Sequence, residues 1–389
     1  MANEKLNVVV AGAGAMGTGI AQVALLANCN VVVYDSFDSA LQKSEQKHFT
    51  DLQKLVEKGK ISGEVLEQCK KNISFSNTLN SAAGANLFIE AIIEDLQTKQ
   101  NLFTDVETRV SDDCILATNT SSLSVISIGA NCKKQDRVVG LHFFNPAAIM
   151  PLVEIVPSLN TSLAVLEKSK SIIDSFKKIA VIAKDTPGFI VNRIARPYYG
   201  EAIRIYEEGI ADFATIDWVM KEKGGFKMGP FELMDFIGND VNYKVTESVF
   251  EQMFFDTRYK PSQTQKRLFE GKLYGRKTGK GYFTYLNNAP LPEPVKNNKT
   301  AGMICNRIVC MLINEAADAL LLNIATREDI DLAMTKGVNY PKGLLKWCDE
   351  LGAANVLDTL EELFNWYGED RYRPSPMLRR MVRDKITFY

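Results

Sequence analysis

Two textures of apolar residues run along the chain. Up to about residue 185, short β-branched runs alternate with longer mixed segments: LNVVVAG (6–12), NVVVYD (30–35), NLFIEAI (86–92), CILATN (114–119), RVVGLHFF (137–144), LVEIV (152–156) and KIAVIAKD (178–185). Runs of this length and content read as strands buried on both faces. MGTGIAQVALLAN (16–28) reads as helix, and residues 38–70 carry one long Lys/Glu-rich helical pattern. Alternating strand and helix predicts a parallel, doubly wound sheet with right-handed crossovers. After TPGF (186–189), FIVNRIARPYYGEAIRIYEEG is amphipathic at helical spacing, and little beyond it reads as strand. A domain boundary is expected near residue 186. LNNAPLPEPVKNNKT (286–300), rich in Pro and Asn, reads as a linker.

The helical part contains a repeat. FIVNRIARPYYGEAIRIYEEGIADFATIDWVMKEKGGFKMGPFELMDFIG and MICNRIVCMLINEAADALLLNIATREDIDLAMTKGVNYPKGLLKWCDELG match at a single offset of 114 residues. Asn192 pairs with Asn306, Arg193 with Arg307, Glu201 with Glu315, Asp217 with Asp331, Gly229 with Gly343, Asp235 with Asp349 and Gly238 with Gly352. One offset held over about fifty residues without a gap identifies a duplication. The expected domains are 1–186, then 187–286 and 300–389 as two tandem copies of one helical domain.

Bulk properties narrow the function classes. With 389 residues, 46% hydrophobic and 24% charged, the chain has apolar material for more than one core. A net charge of −1 offers no overall field to hold nucleic acid or an anionic membrane. No apolar run approaches the ~18 residues of a spanning helix. MANEKLNVVVAG enters a strand and glycine turn where a signal peptide would need its apolar region. The seven cysteines are scattered and form no CxxC, so buried thiols in a reducing cytoplasm are expected, not a disulfide framework or a metal site.

Chemistry first shows in VVVAGAGAMGTGIA (8–21), where Gly12-x-Gly14-x-x-Gly17 follows a strand and opens a helix. Gly12 permits the tight turn, Gly14 admits a pyrophosphate and Gly17 lets helix and strand pack closely. The helix N-terminus then presents unpaired N–H groups and a positive dipole end to the phosphates. Asp35, ending the next strand, suits the adenine-ribose hydroxyls and repels a 2′-phosphate, which favours NAD over NADP. FAD uses the same fingerprint. The first domain is thus expected to be an α/β Rossmann type, with an all-α domain in two tandem copies after it.

GLHFFNPAAIMPLVEIV (140–156) carries His142 and Glu154 in otherwise apolar strand sequence. A lone histidine is ordinarily a satisfied core residue, but a glutamate inside LVEIV needs a partner or solvent. Two strands joined by a turn at Asn145–Pro151 would bring the side chains together. The carboxylate would fix the imidazole tautomer and leave the other ring nitrogen as a base. The second histidine, His48, lies in a polar helical stretch with no comparable partner.

These residues, with FIEAIIEDLQTK, ATNTSSLSVISI, DTPGFIVNRI, GGFKMGPFELMD and GRKTGKGYFTY in order, resemble the L-3-hydroxyacyl-CoA dehydrogenase family over residues 6–285. The C-terminal part is similar to the second helical repeat of longer tandem members. The resemblance implies that His142 is the catalytic base and Glu154 its paired glutamate. It implies that Ser121, in NTSSL, lies near substrate and nicotinamide, and that Asn192, in FIVNR, orients the substrate. Glu94, Lys99, Asn145 and Lys277 fall on positions that contact NAD, and Lys58, in KLVEKGK, falls where a lysine meets CoA. The plainer readings make Lys58, Lys99 and Lys277 solvated surface lysines and Ser122 a helix cap. Asp51 replaces a serine that contacts CoA in some relatives, and Asp95 replaces the family's asparagine.

The activity so implied is reversible, NAD-dependent oxidation of a short-chain L-3-hydroxyacyl-CoA. The alternatives are a dehydrogenase of a non-CoA hydroxy acid, such as a sugar acid, and a non-catalytic NAD-binding protein. Expected partners are an acyl-CoA, with no nucleic acid and no membrane. The chain is expected as a homodimer, or as a monomer whose two helical copies form an intrachain pseudo-dimer.

Overall fold

The β-branched runs of the N-terminal half all become strands of one sheet. In the computed structural model, which describes residues 5–286 and 289–389, the strands are β1 (Asn7–Ala11), β2 (Asn30–Tyr34), β3 (Ile73–Ser76), β4 (Leu87–Glu90), β5 (Ile115–Thr118), β6 (Val138–Phe143), β7 (Leu152–Pro157) and β8 (Ile179–Ile182). Their order is β3-β2-β1-β4-β5-β6-β7-β8. Six helices belong to this unit, Met1–Thr186: α1 (Ala15–Leu26), α2 (Asp38–Glu57), α3 (Gly63–Asn72), α4 (Leu96–Glu107), α5 (Val125–Gly129) and α6 (Leu163–Ser175). The central strands are buried on both faces, with Val8, Val10, Leu87, Phe88, Ile89, Leu116 and Val139 all at 2% exposure or less. Burial of each such side chain contributes about 1.5–3 kcal/mol.

Three features correct the expectations. The sheet is not parallel throughout, because β7 pairs antiparallel with β6 and β8 then runs parallel to β7. The connection over residues 144–151 is too short for the crossover of roughly a dozen or more residues that a parallel neighbour needs. The 38–70 pattern is two helices. Gly59 takes a left-handed φ of +66°, and the Ser62 hydroxyl accepts the Val65 N–H at 3.3 Å to start α3. β3 is an additional edge strand, whose four residues ISFS are too few and too exposed to stand out as an apolar run.

The second unit, Pro187–Tyr389, is helical. Its first copy holds α7 (Val191–Ile194), α8 (Arg196–Glu207), α9 (Phe213–Glu222), α10 (Pro230–Ile237), α11 (Asn239–Gln252) and α12 (Gln263–Glu270). Its second holds α13 (Asn298–Leu321), α14 (Arg327–Gly337), α15 (Leu344–Leu351), α16 (Ala353–Tyr367) and α17 (Pro376–Asp384). The helix read through FIVNRIARPYYGEAIRIYEEG is broken between α7 and α8, where Pro197 opens α8. Met311 occupies the matching position of α13, which runs unbroken for 24 residues. Of the expected linker, Asn287 and Asn288 lie outside the described residues, and its last residues are already helix, with Asn297 capping α13.

The repeats share local chemistry. Asp217 accepts the N–H groups of Phe231 and Glu232, both at 2.8 Å, and Asp331 accepts those of Leu345 and Lys346 at 2.8 and 3.0 Å. They also exchange a buried clamp. Glu315 accepts from Arg193 at 2.7 Å, from Arg258 at 3.3 Å and from the Tyr259 hydroxyl, all of the first copy. Glu201 accepts from Arg307 at 2.9 Å and the Tyr372 hydroxyl at 3.0 Å, with Arg371 at 3.8 Å, all of the second. Burial alone would raise the Glu315 carboxyl, but Arg193 and Arg258 hold it below the usual range. The arginine of each copy thus bonds the glutamate of the other at matching repeat positions.

Candidate active site

The glycine turn joins β1 to α1. Gly12 has φ +106°, and a Cβ there would lie 2.4 Å from the Ala91 carbonyl oxygen. A Cβ at Gly17 would lie 1.8 Å from the Gly12 carbonyl oxygen, so neither position admits a side chain. At Gly14, the N-cap of α1, a Cβ would meet nothing within 4 Å. No side-chain cap and no acidic residue occupies the first turn of this 12-residue helix. Open space over uncapped N–H groups fits a dinucleotide pyrophosphate. Asp35 follows β2 and braces the turn, accepting the Ala13 N–H at 2.8 Å and the Phe37 N–H at 3.0 Å.

The antiparallel β6–β7 pair sets His142 directly opposite Glu154. Directly opposed residues project to the same face of a sheet, and His142 Nδ1 lies 2.7 Å from Glu154 Oε2. Glu154 has no exposed surface and His142 is 6% exposed, so the contact is shielded from water. A carboxylate at that distance can accept the Nδ1–H of the imidazole and so fix its tautomer. The Phe144 ring packs 4.6 Å from the imidazole.

The ends of β4 and β5 build the adjoining wall. Lys99 is 1% exposed, its ammonium 2.6 Å from Glu90 Oε1 and 3.1 Å from Glu94 Oε2. Burial overturns its plainer reading as a solvated surface lysine. Glu94 Oε1 accepts the Thr120 hydroxyl at 2.5 Å, the N–H groups of Ser121 and Ser122 at 3.0 and 3.2 Å, and the Ser122 hydroxyl at 2.9 Å. Burial opposes ionisation of Glu94, yet Lys99 and these donors hold its carboxyl below the usual range. Ser122 therefore serves Glu94 and does not cap α5, whose first N–H groups go to Asp185. Asn119 Oδ1 accepts the Phe143 N–H at 2.8 Å, tying the Ser121 turn to the strand that carries His142.

The model of the 3-hydroxyacyl-CoA dehydrogenase NAD-binding domain matches residues 7–186, and that of the C-terminal domain matches 188–285 and again 302–386. The chain is 36% identical over 458 aligned positions to the 3-hydroxyadipyl-CoA dehydrogenase of Escherichia coli (strain K12), covering 96% of each. It is 38% identical over 285 to the mitochondrial hydroxyacyl-coenzyme A dehydrogenase of Sus scrofa, covering 72% of this chain and 91% of that one. The crystal structure of 3-hydroxybutyryl-CoA dehydrogenase from Escherichia coli K12 substr. MG1655 matches with a TM-score of 0.93 at 34% identity, over 98% of each chain.

The chain belongs to the 3-hydroxyacyl-CoA dehydrogenase family. It is an NAD-dependent oxidoreductase of that family, with a Rossmann-type sheet domain and the family's helical domain in tandem. No helix among the described residues is long and apolar enough to cross a membrane.

The remaining family positions are more dispersed. Asn145 is exposed and begins the Asn145–Pro146 cis peptide after β6. Lys58 is exposed at the C-cap of α2, while Asp51 is held by Lys47 at 2.6 Å and Lys54 at 3.6 Å. In the helical unit, Asn192 is half-buried in α7, and Lys277 pairs with Asp240. His48 sits not on a polar surface but fully buried on α2. Neither of its ring nitrogens has a hydrogen-bond partner among the described residues. Burial lowers its pKa to about 4 and leaves it neutral. Sequence reasoning missed Glu90, Thr118 and Asn119. Glu90 carried the signal that singled out Glu154, a carboxylate inside an apolar strand.

Proposed function

We propose that the enzyme interconverts short-chain L-3-hydroxyacyl-CoA and 3-oxoacyl-CoA, with His142 as general base and Glu154 as its orienting carboxylate. The 2.7 Å buried His142–Glu154 contact at the C-terminal end of β6 carries this reading. His142 Nε2 takes the C3 hydroxyl proton as the C3–H bond gives up its hydride, and the C–O bond becomes a carbonyl. NAD, when bound, supplies the hydride acceptor. Gly12, Gly14, Gly17 and Asp35 hold its adenosine-pyrophosphate half, and Glu94, Lys99, Asn145, Ser121 and Lys277 serve the rest, Lys99 acting through Glu94. Ser121 and Asn192 place C3, and Lys58 meets CoA. Base catalysis of this type contributes roughly 10²–10⁴-fold.

Short acyl chains are favoured by the names of the relatives, a hydroxybutyryl-CoA and a hydroxyadipyl-CoA enzyme. The test is NADH consumption with acetoacetyl-CoA, 3-oxoadipyl-CoA, longer 3-oxoacyl-CoAs and free acetoacetate, repeated with NADPH. Turnover confined to long chains, or equal turnover without CoA, rejects the substrate assignment. A His142→Gln enzyme within about threefold of wild type rejects the base.

We also infer three functional segments, 1–186, 187–286 and 300–389, with the second helical copy standing in for a partner subunit. The reciprocal Glu201 and Glu315 clamps support this reading. Sedimentation equilibrium at micromolar concentration should return a monomer near 43.4 kDa; a stable dimer would reject it. The free, mostly buried cysteines suit a reducing cytoplasm, which cell fractionation tests.

A further inference from the structure

We propose that Glu90 is a positioning residue for the reaction, fixing from inside the sheet the turn that carries Ser121. Glu90 ends β4 without exposed surface, and the β4–β5 register sets it opposite Thr118, the last residue of β5. A carboxylate so placed needs compensation on every side. Oε1 accepts from Lys99 at 2.6 Å and from the Ile92 N–H at 2.7 Å, and Oε2 accepts from the Thr118 hydroxyl at 2.7 Å.

Both oxygens lead to the same turn. Along one route, the Thr118 hydroxyl oxygen accepts the Thr120 N–H at 3.2 Å. Along the other, Lys99 reaches on to Glu94, and Glu94 gathers the Thr120 hydroxyl and the Ser121 N–H. Glu90 thus holds the residues leading into Ser121 through Thr118, and reaches the Ser121 backbone through Lys99 and Glu94.

The charge on Glu90 is what keeps Lys99 in place. The ammonium sits between two carboxylates and closer to Glu90, 2.6 Å against 3.1 Å. Neutralising Glu90 leaves a buried cation with Glu94 as its one nearby carboxylate among the described contacts. Lys99 is then drawn toward Glu94 Oε2, which rotates the carboxylate whose other oxygen holds the Ser121 backbone. A displacement of about 1 Å at a substrate-positioning group can cost about 10²-fold in rate. The inference rests on Ser121 acting on the substrate, as proposed above.

The experiment is a double-mutant cycle on the full-length enzyme with acetoacetyl-CoA and NADH. Glu90→Gln should lower kcat about 10–100-fold while KM moves less than about threefold. In a Ser121→Ala background the same change should lower kcat less than about threefold further, because the turn no longer carries the hydroxyl it places. Additive losses, or an unchanged kcat in Glu90→Gln, overturn the proposal while Ser121 keeps its role. Wild-type kcat in Ser121→Ala removes the reading beneath it, and the proposal with it. If Glu90→Gln does not fold, Thr118→Val replaces it in the cycle. The same coupling is expected, with activity retained in Thr118→Ser, and additivity again overturns the proposal.

Discussion

Replacing Arg307 by methionine opens one of the two clamps between the helical copies. Arg307 is 5% exposed and donates to Glu201 at 2.9 Å, to the two oxygens of Glu208 at 2.8 and 3.0 Å, and to the hydroxyls of Tyr367 and Tyr372 at 2.9 and 2.7 Å. Glu208 is partly solvated and tolerates the loss. Glu201, 2% exposed, keeps Tyr372 at 3.0 Å and Arg371 at 3.8 Å, which is poor compensation for a buried charge. Breaking a buried pair at one partner costs about 3–5 kcal/mol. In a unit of about 200 residues each kcal/mol moves Tm by roughly 2–4 °C. Calorimetry of the full chain should therefore show the helical transition of Arg307→Met about 6–20 °C lower. Arg193→Met should cost less, because Glu315 retains Arg258 at 3.3 Å. Adding Glu201→Gln to Arg307→Met should restore at least about 1 kcal/mol, since the uncompensated carboxylate is gone. A shift below about 2 °C for Arg307→Met, or strictly additive losses in the double variant, would refute the clamp as a coupled unit.

Glu154→Gln keeps the shape of the dyad and removes its charge. At about 4 Å between charge centres and an effective dielectric near 20, the lost stabilisation of the imidazolium is about 4 kcal/mol. A fall of about 10²–10³-fold in kcat is expected from steady-state NADH oxidation, and a change within threefold counts against the assignment. Asp217 gives a pH signature. Desolvation by burial raises its carboxyl to about 7 despite the opposing N–H groups of Phe231 and Glu232. The folded value lies above the unfolded one near 4, so the native state holds the extra proton between them, and Asp217 subtracts stability as pH rises from about 4 to about 7. Wild-type Tm measured against Asp217→Asn should fall across that window, and a pH-independent difference would contradict it.

Local chemistry made much of the protein legible in advance. Strand identity follows from β-branched runs, and the nucleotide turn from glycines whose missing side chains the backbone demands. A glutamate in LVEIV announced a buried partner, and the constant offset between FIVNRIARPYY and MICNRIVCMLI announced a duplication. Even the antiparallel β7 follows from the length of 144–151, once that length is weighed against the reach of a crossover.

What the sequence could not decide depends on which distant segments meet. The register that sets His142 against Glu154 belongs to the pairing of two strands, and slipping it by one residue would send one side chain to the opposite face. Lys99 and His48 lie in polar stretches, and only packing against the sheet buries them, one between two carboxylates and the other without a hydrogen-bond partner among the described residues. The repeat showed that Arg193 matches Arg307 and Glu201 matches Glu315. It did not show that each arginine bonds the other copy's glutamate across 122 and 106 residues. Helix and strand periodicity are written over a few residues, whereas these contacts exist only where the tertiary fold has closed the chain over far longer distances.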